Sequence, residues 1–66
     1  MQVTVNGEAT ELPEALTLAE LVERVGLGDK RVALERNEAI VPRSEYATTA
    51  LAEGDRIEIV RAIGGG

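Results

Sequence analysis

Met1-Gln2-Val3-Thr4-Val5-Asn6-Gly7-Glu8-Ala9-Thr10-Glu11-Leu12 opens the chain, and the fold is read outward from it. Met1, Val3 and Val5 alternate with Gln2 and Thr4, the two-residue period of a strand with one buried face. Asn6-Gly7 then places together two residue types that accept positive φ, as both central positions of a type I′ turn require. Glu8 to Leu12 is therefore expected to return antiparallel as the second arm of a hairpin. Pro13 closes that arm, because it has no N–H to give a ladder.

Thr17 and Glu20 have capping-box spacing, which predicts a helix from Leu18. Leu18, Leu21, Val22 and Val25 fall at i, i+3, i+4 and i+7 and form one apolar stripe, with Glu20, Glu23 and Arg24 largely outside it. Gly26 is expected to end the helix as a left-handed cap, with Leu27 covering the last turn. Alternation resumes through Val32 and Leu34, breaks at Asn37-Glu38, and continues through Ala39-Ile40-Val41 to Pro42, which gives two short strands. Ser44 is read as the cap of a helical turn through Tyr46 and Ala47, and Leu51 as a core anchor. Glu53-Gly54-Asp55 is a turn, and a last strand runs from Arg56 to about Val60 with Ile57 and Ile59 inward. Strands separated by a single long helix define an α+β domain, a mixed four- to five-stranded sheet packed on one main helix. With the first and last strands parallel at its centre, this is the β-grasp arrangement.

The chain has 66 residues, enough for one core, and its only aromatic residue is Tyr46. A chain this short must place nearly all of its aliphatic side chains inside, and no deep aromatic-lined pocket is expected. Without Cys or His there are no disulfides, thiolate ligands, cysteine nucleophiles or imidazole bases. The twelve Asp and Glu read as solvated surface, with no pair placed for acid–base catalysis. A net charge of −5, with Lys30 the only lysine, opposes nucleic acid and anionic membranes and favours a partner with a basic face. No stretch has the layout of a transmembrane helix or a signal peptide, so a cytoplasmic protein is expected.

The last three residues are Gly64-Gly65-Gly66, directly after an apolar run from Ile57 to Ile63. The expected organisation is a domain over residues 1–63 and a flexible tail over 64–66. A glycine carboxylate without neighbouring side chains can thread a narrow active site. Three residues beyond Ile63 extend at most about 10 Å. The tail also has the composition of a fraying terminus or a linker.

Val5-Asn6-Gly7, Thr17 to Leu21, Ile40-Val41-Pro42-Arg43-Ser44, Leu51 to Val60 and the terminal glycines together resemble the ThiS family, relatives of MoaD and, more remotely, of ubiquitin. The likeness covers essentially the whole chain, and Val-Pro-Arg followed by the Gly-Asp turn favours ThiS over MoaD. It implies a ubiquitin-like β-grasp fold and a sulfur carrier of thiamin thiazole biosynthesis, a co-substrate without turnover of its own and a monomer when free. It implies that Gly66 is the modified residue, adenylated by a ThiF-like adenylyltransferase using ATP and magnesium, then converted to a thiocarboxylate with sulfur from a persulfide donor. Thiazole synthase, ThiG, would take the sulfur. The carrier itself would bind no cofactor or metal. Gly65 and Gly64 would clear the path, and Ile63, Ala62 and Arg61 would meet the partner, although Ile63 also suits the end of the core and Arg61 a solvated surface. The alternatives are a MoaD-like molybdopterin synthase subunit, a ubiquitin-like modifier joined to target lysines, and a plain interaction module.

Overall fold

The computed structural model describes residues 1–62. β1 (Gln2–Val5) and β2 (Glu8–Glu11) pair antiparallel with Thr4 opposite Ala9 and Val5 opposite Glu8. Asn6 (φ 51) and Gly7 (φ 83) form the expected turn. The hairpin is closed at its open end by the Leu12 N–H donating to the Met1 carbonyl at 2.8 Å and the Met1 amine to the Leu12 carbonyl at 2.7 Å.

Helix α1 (Leu18–Arg24) begins where the capping box places it. The Glu20 N–H donates to Thr17 Oγ1 at 3.2 Å, and the Thr17 N–H to Glu20 Oε1 at 2.9 Å. Two further N–H groups of the first turn are satisfied from outside: Leu18 donates to the Thr49 carbonyl and Ala19 to that of Tyr46, each at 3.0 Å. At the other end Gly26 (φ 81) donates to the Glu23 carbonyl and Leu27 to that of Val22, the paired bonds of a Schellman cap. Val25, expected on the buried stripe, is instead 43% exposed. The helix ends at Arg24, and Val25 at the cap (φ −86, ψ 5) departs from the helical spiral.

β3 (Val32–Arg36) and β4 (Ala39–Ile40) make a second hairpin, turned at Asn37 (φ 52) and Glu38 (φ 73). A 3-10 turn comes next at Arg43–Glu45, and here Ser44 corrects expectation. Pro42, in extended conformation, holds the cap position with no side-chain bond, and its carbonyl accepts from the Glu45 N–H at 2.9 Å. Ser44 therefore lies inside the turn.

β5 (Arg56–Arg61) completes a five-stranded sheet of order β2-β1-β5-β3-β4, parallel between β1 and β5 and antiparallel elsewhere. Val3, Leu34, Ile57 and Ile59 from the three central strands form the core with Leu18, Leu21 and Val22 of α1. Leu12, Leu16, Tyr46 and Leu51 extend it from the connections. The expectation that almost every aliphatic side chain lies inside fails at Ile40 (76% exposed) and Val60 (57% exposed). Both sit on the face of the sheet away from α1, because Val60 alternates with the buried Ile59 and Ile40 pairs with the exposed Glu35.

Candidate functional site

The strand that leads to the terminal glycines is β5, and its first residues are held by a buried polar cluster. Asp55 is 6% exposed and accepts hydrogen bonds from the Ala52 N–H (2.8 Å), Arg36 Nε (2.9 Å) and Asn37 Nδ2 (3.0 Å). Asn37 also grips the next residue on both sides, its N–H donating to the Arg56 carbonyl at 2.7 Å and its Oδ1 accepting from the Arg56 N–H at 2.9 Å. Burial pushes the Asp55 carboxyl up, but the bonds from Ala52, Asn37 and Arg36, with the Arg36 charge, outweigh it and hold the carboxyl below the usual carboxylate range. The sequence pattern marks Asp55 as a turn residue only. The signal that identifies its structural role is spatial, since Arg36 and Asn37 are brought beside it by the β3–β5 pairing.

Along β5 the side chains divide cleanly. Ile57 and Ile59 are buried, and Arg56, Glu58 and Val60 are exposed. On the exposed face Glu58 stands directly opposite Glu35, and Val60 opposite Ala33. Two like charges in directly opposed positions repel, so this pair costs the sheet some stability. Composition suggests a solvated acidic surface. It gives no sign that apolar Ile40 and Val60 share that surface.

Of the residues expected to form the reactive end, Arg61 is the last residue of β5 and is exposed. Ala62 is half-buried, and its N–H donates to the Arg31 carbonyl at 2.8 Å, so the pairing with the β3 side continues one residue past the strand. Ile63, Gly64, Gly65 and Gly66 lie outside the described residues. Among the described residues no group of acidic side chains is arranged to hold a metal ion, and no helix is long and apolar enough to cross a membrane.

A mixed sheet with parallel β1 and β5 at its centre, one helix on one face, and a central strand leading to the terminal glycines defines a ubiquitin-like β-grasp domain. Residues 3–66 match the ThiS family. The sulfur carrier protein ThiS of Escherichia coli is 33% identical over 66 residues, with 100% of both chains covered. The crystal structure of the thiamine biosynthesis protein ThiS from Geobacter metallireducens superposes with a TM-score of 0.83 at 30% identity, again covering 100% of each chain. Thiazole synthase of Paramagnetospirillum magneticum is 42% identical over 66 residues, and there the chain spans 20% of the relative's length. The chain belongs to the ThiS family.

Proposed function

We propose that this chain carries sulfur for thiazole formation in thiamin biosynthesis as a thiocarboxylate on Gly66, and that it is a protein co-substrate with no turnover of its own. The observation that carries this reading is the end-to-end correspondence with a sulfur carrier protein, in a family match that runs through Gly66. A carboxylate is a poor electrophile and must be activated. A ThiF-like adenylyltransferase, using ATP and magnesium, lets a Gly66 carboxylate oxygen attack the α-phosphorus with loss of pyrophosphate, leaving AMP as the leaving group on the acyl carbon. The outer sulfur of a persulfide then attacks that carbon and AMP departs. A thiol then attacks the donor's sulfur in this acyl disulfide, forming a disulfide with the donor and releasing the thiocarboxylate on Gly66. Positioning and charge stabilisation belong to the enzymes.

The acceptor in this reading is thiazole synthase, ThiG. Support comes from the Paramagnetospirillum thiazole synthase, which includes within one protein a stretch matching the whole of this chain. Gly64 and Gly65 clear the approach, while Ile63, Ala62 and Arg61 border the docked body. From Ala62 to the terminal carboxylate four residues reach at most about 14 Å, enough to enter a buried site from outside. Reconstitution tests the proposal. Thiazole should form when thiazole synthase, its small-molecule substrates, the adenylating enzyme, ATP and a persulfide donor are supplied with this chain, and should not form with the chain lacking Gly66. Equal thiazole yield with the truncated chain would overturn it.

A further inference from the structure

β1 and β5 run parallel through two residue pairs, Thr4 with Arg56 and Val5 with Ile57. The Thr4 N–H donates to the Asp55 carbonyl at 2.9 Å, and the Asn6 N–H to the Ile57 carbonyl at 2.8 Å. In a continuing parallel ladder the next bonds would join Ile59 to the Asn6 carbonyl and to the N–H two residues further on. That cannot happen, because Asn6 and Gly7 have positive φ and turn the chain back into β2. The Asn6 side chain supplies the missing bonds. The Ile59 N–H donates to Asn6 Oδ1 at 2.8 Å, and Asn6 Nδ2 donates to the Ile59 carbonyl at 3.1 Å. A carboxamide has the donor and acceptor of a peptide unit, so it acts as one more rung of β1 after β1 has left the sheet.

The rung lies near the end of β5, where the strand hands over to the glycine-bearing terminus. Arg56 and Ala62 direct their backbone bonds to the β3 side, whereas Ile57 and Ile59 direct theirs to the hairpin side. Ile59 is therefore the last described residue of β5 held on the hairpin flank. Beyond it, among the described residues, the chain is held from the β3 side, by the pairing of Val60 and Arg61 with Ala33 and Val32 and by the bond of Ala62 to Arg31.

We propose that Asn6 is a positioning residue for sulfur transfer: by gripping Ile59 it sets the direction in which β5 delivers the segment that ends at Gly66. The proposal rests on the reading of Gly66 as the reacting group. Without the carboxamide, β5 is anchored on one flank from Ile59 onward and its exit direction spreads over more conformations. The ordering that Asn6 provides in advance must then be supplied on binding. The loss falls on the KM of the carrier, because a tail already seated in the enzyme presents the same carboxylate.

Three variants separate this role from the turn. Asn6→Gly keeps positive φ available and deletes both bonds, whereas Asn6→Asp keeps an acceptor for the Ile59 N–H and loses the donor. Gly7→Ala strains the turn at φ 83, with nothing within 4 Å of the added methyl, and leaves the carboxamide in place. The assay is enzyme-driven conversion of Gly66 to the thiocarboxylate, below the unfolding transition of each variant, with amide hydrogen exchange at Ile59. Asn6→Gly should raise the carrier KM roughly five- to tenfold with kcat within about twofold, and should lose protection at Ile59 but not at Leu51, whose N–H donates to the Leu16 carbonyl. Asn6→Asp should fall between Asn6→Gly and the wild type. Gly7→Ala should keep the wild-type KM even though it lowers the melting temperature. A KM that tracks melting temperature across the three, or an unchanged KM in Asn6→Gly, overturns the positioning role while leaving the Gly66 reading intact. A wild-type chain that gains no sulfur overturns both.

Discussion

Because its hydrogen bonds hold the Asp55 carboxyl below the usual carboxylate range, the unfolded chain takes up a proton there at a higher pH than the folded chain does. The contribution of Asp55 to stability is therefore fully present above its unfolded pKa of about 3.9 and is lost as the pH falls through the lower folded value. Asp55→Ala leaves the Ala52 N–H, Arg36 and Asn37 without their acceptor, and is expected to cost about 2–4 kcal/mol in urea denaturation at pH 7. Its stability should also fall less steeply than that of the wild type below pH 4. An unchanged midpoint and acid profile would remove Asp55 from this account. At this scale the sequence was only partly legible. Glu-Gly-Asp announced a turn, but the partners that make Asp55 structural lie 18 and 19 positions away and meet it only through strand register.

Local signals were most readable where one short segment satisfies its own backbone. Asn6-Gly7, the Thr17–Glu20 box and the Gly26-Leu27 cap each close their bonds within a few residues, and each formed as expected. Thr17→Ala removes a cap and should lower stability by about 1 kcal/mol in thermal or urea melts. The Glu20 carboxyl is held low by the Thr17 N–H first and the Thr17 hydroxyl second, so the box should weaken as the pH drops through that lowered value. Ala15 was not legible, because alanine carries no turn signal, yet it takes φ 61. Relief of that left-handed strain is worth roughly 1–2 kcal/mol against 0.5–1 for the added freedom of the unfolded chain. Ala15→Gly should therefore raise stability by about 0.5–1 kcal/mol, and a loss would show that the loop is not strained there. Ser44 and Val25 depart from expectation because the periodic pattern does not mark where Pro42 takes over a cap or where a helix stops.

For the molecule as a whole, the parallel pairing of the first and last strands formed as the β-grasp reading of the element order expects. The exposed face of the sheet was not. Glu35 opposite Glu58, with Ile40 and Val60 nearby on the same side, is a product of register rather than of any motif. With a net charge of −5, association with a basic partner should slow as salt rises, which stopped-flow mixing at increasing ionic strength would detect. The proposed reactive end was read from its residue types and from the family likeness, and the described part of β5 runs as far as Arg61. The central claim is that Gly66 bears the transferred sulfur. Its most direct test is the intact mass of the chain after incubation with the adenylating enzyme, ATP, magnesium and a persulfide donor. The account predicts a gain equal to sulfur replacing one oxygen, confined by fragmentation to Gly66 and absent when Gly66 is deleted. An unchanged mass with an enzyme proven active on another carrier, or sulfur found elsewhere in the chain, would contradict it.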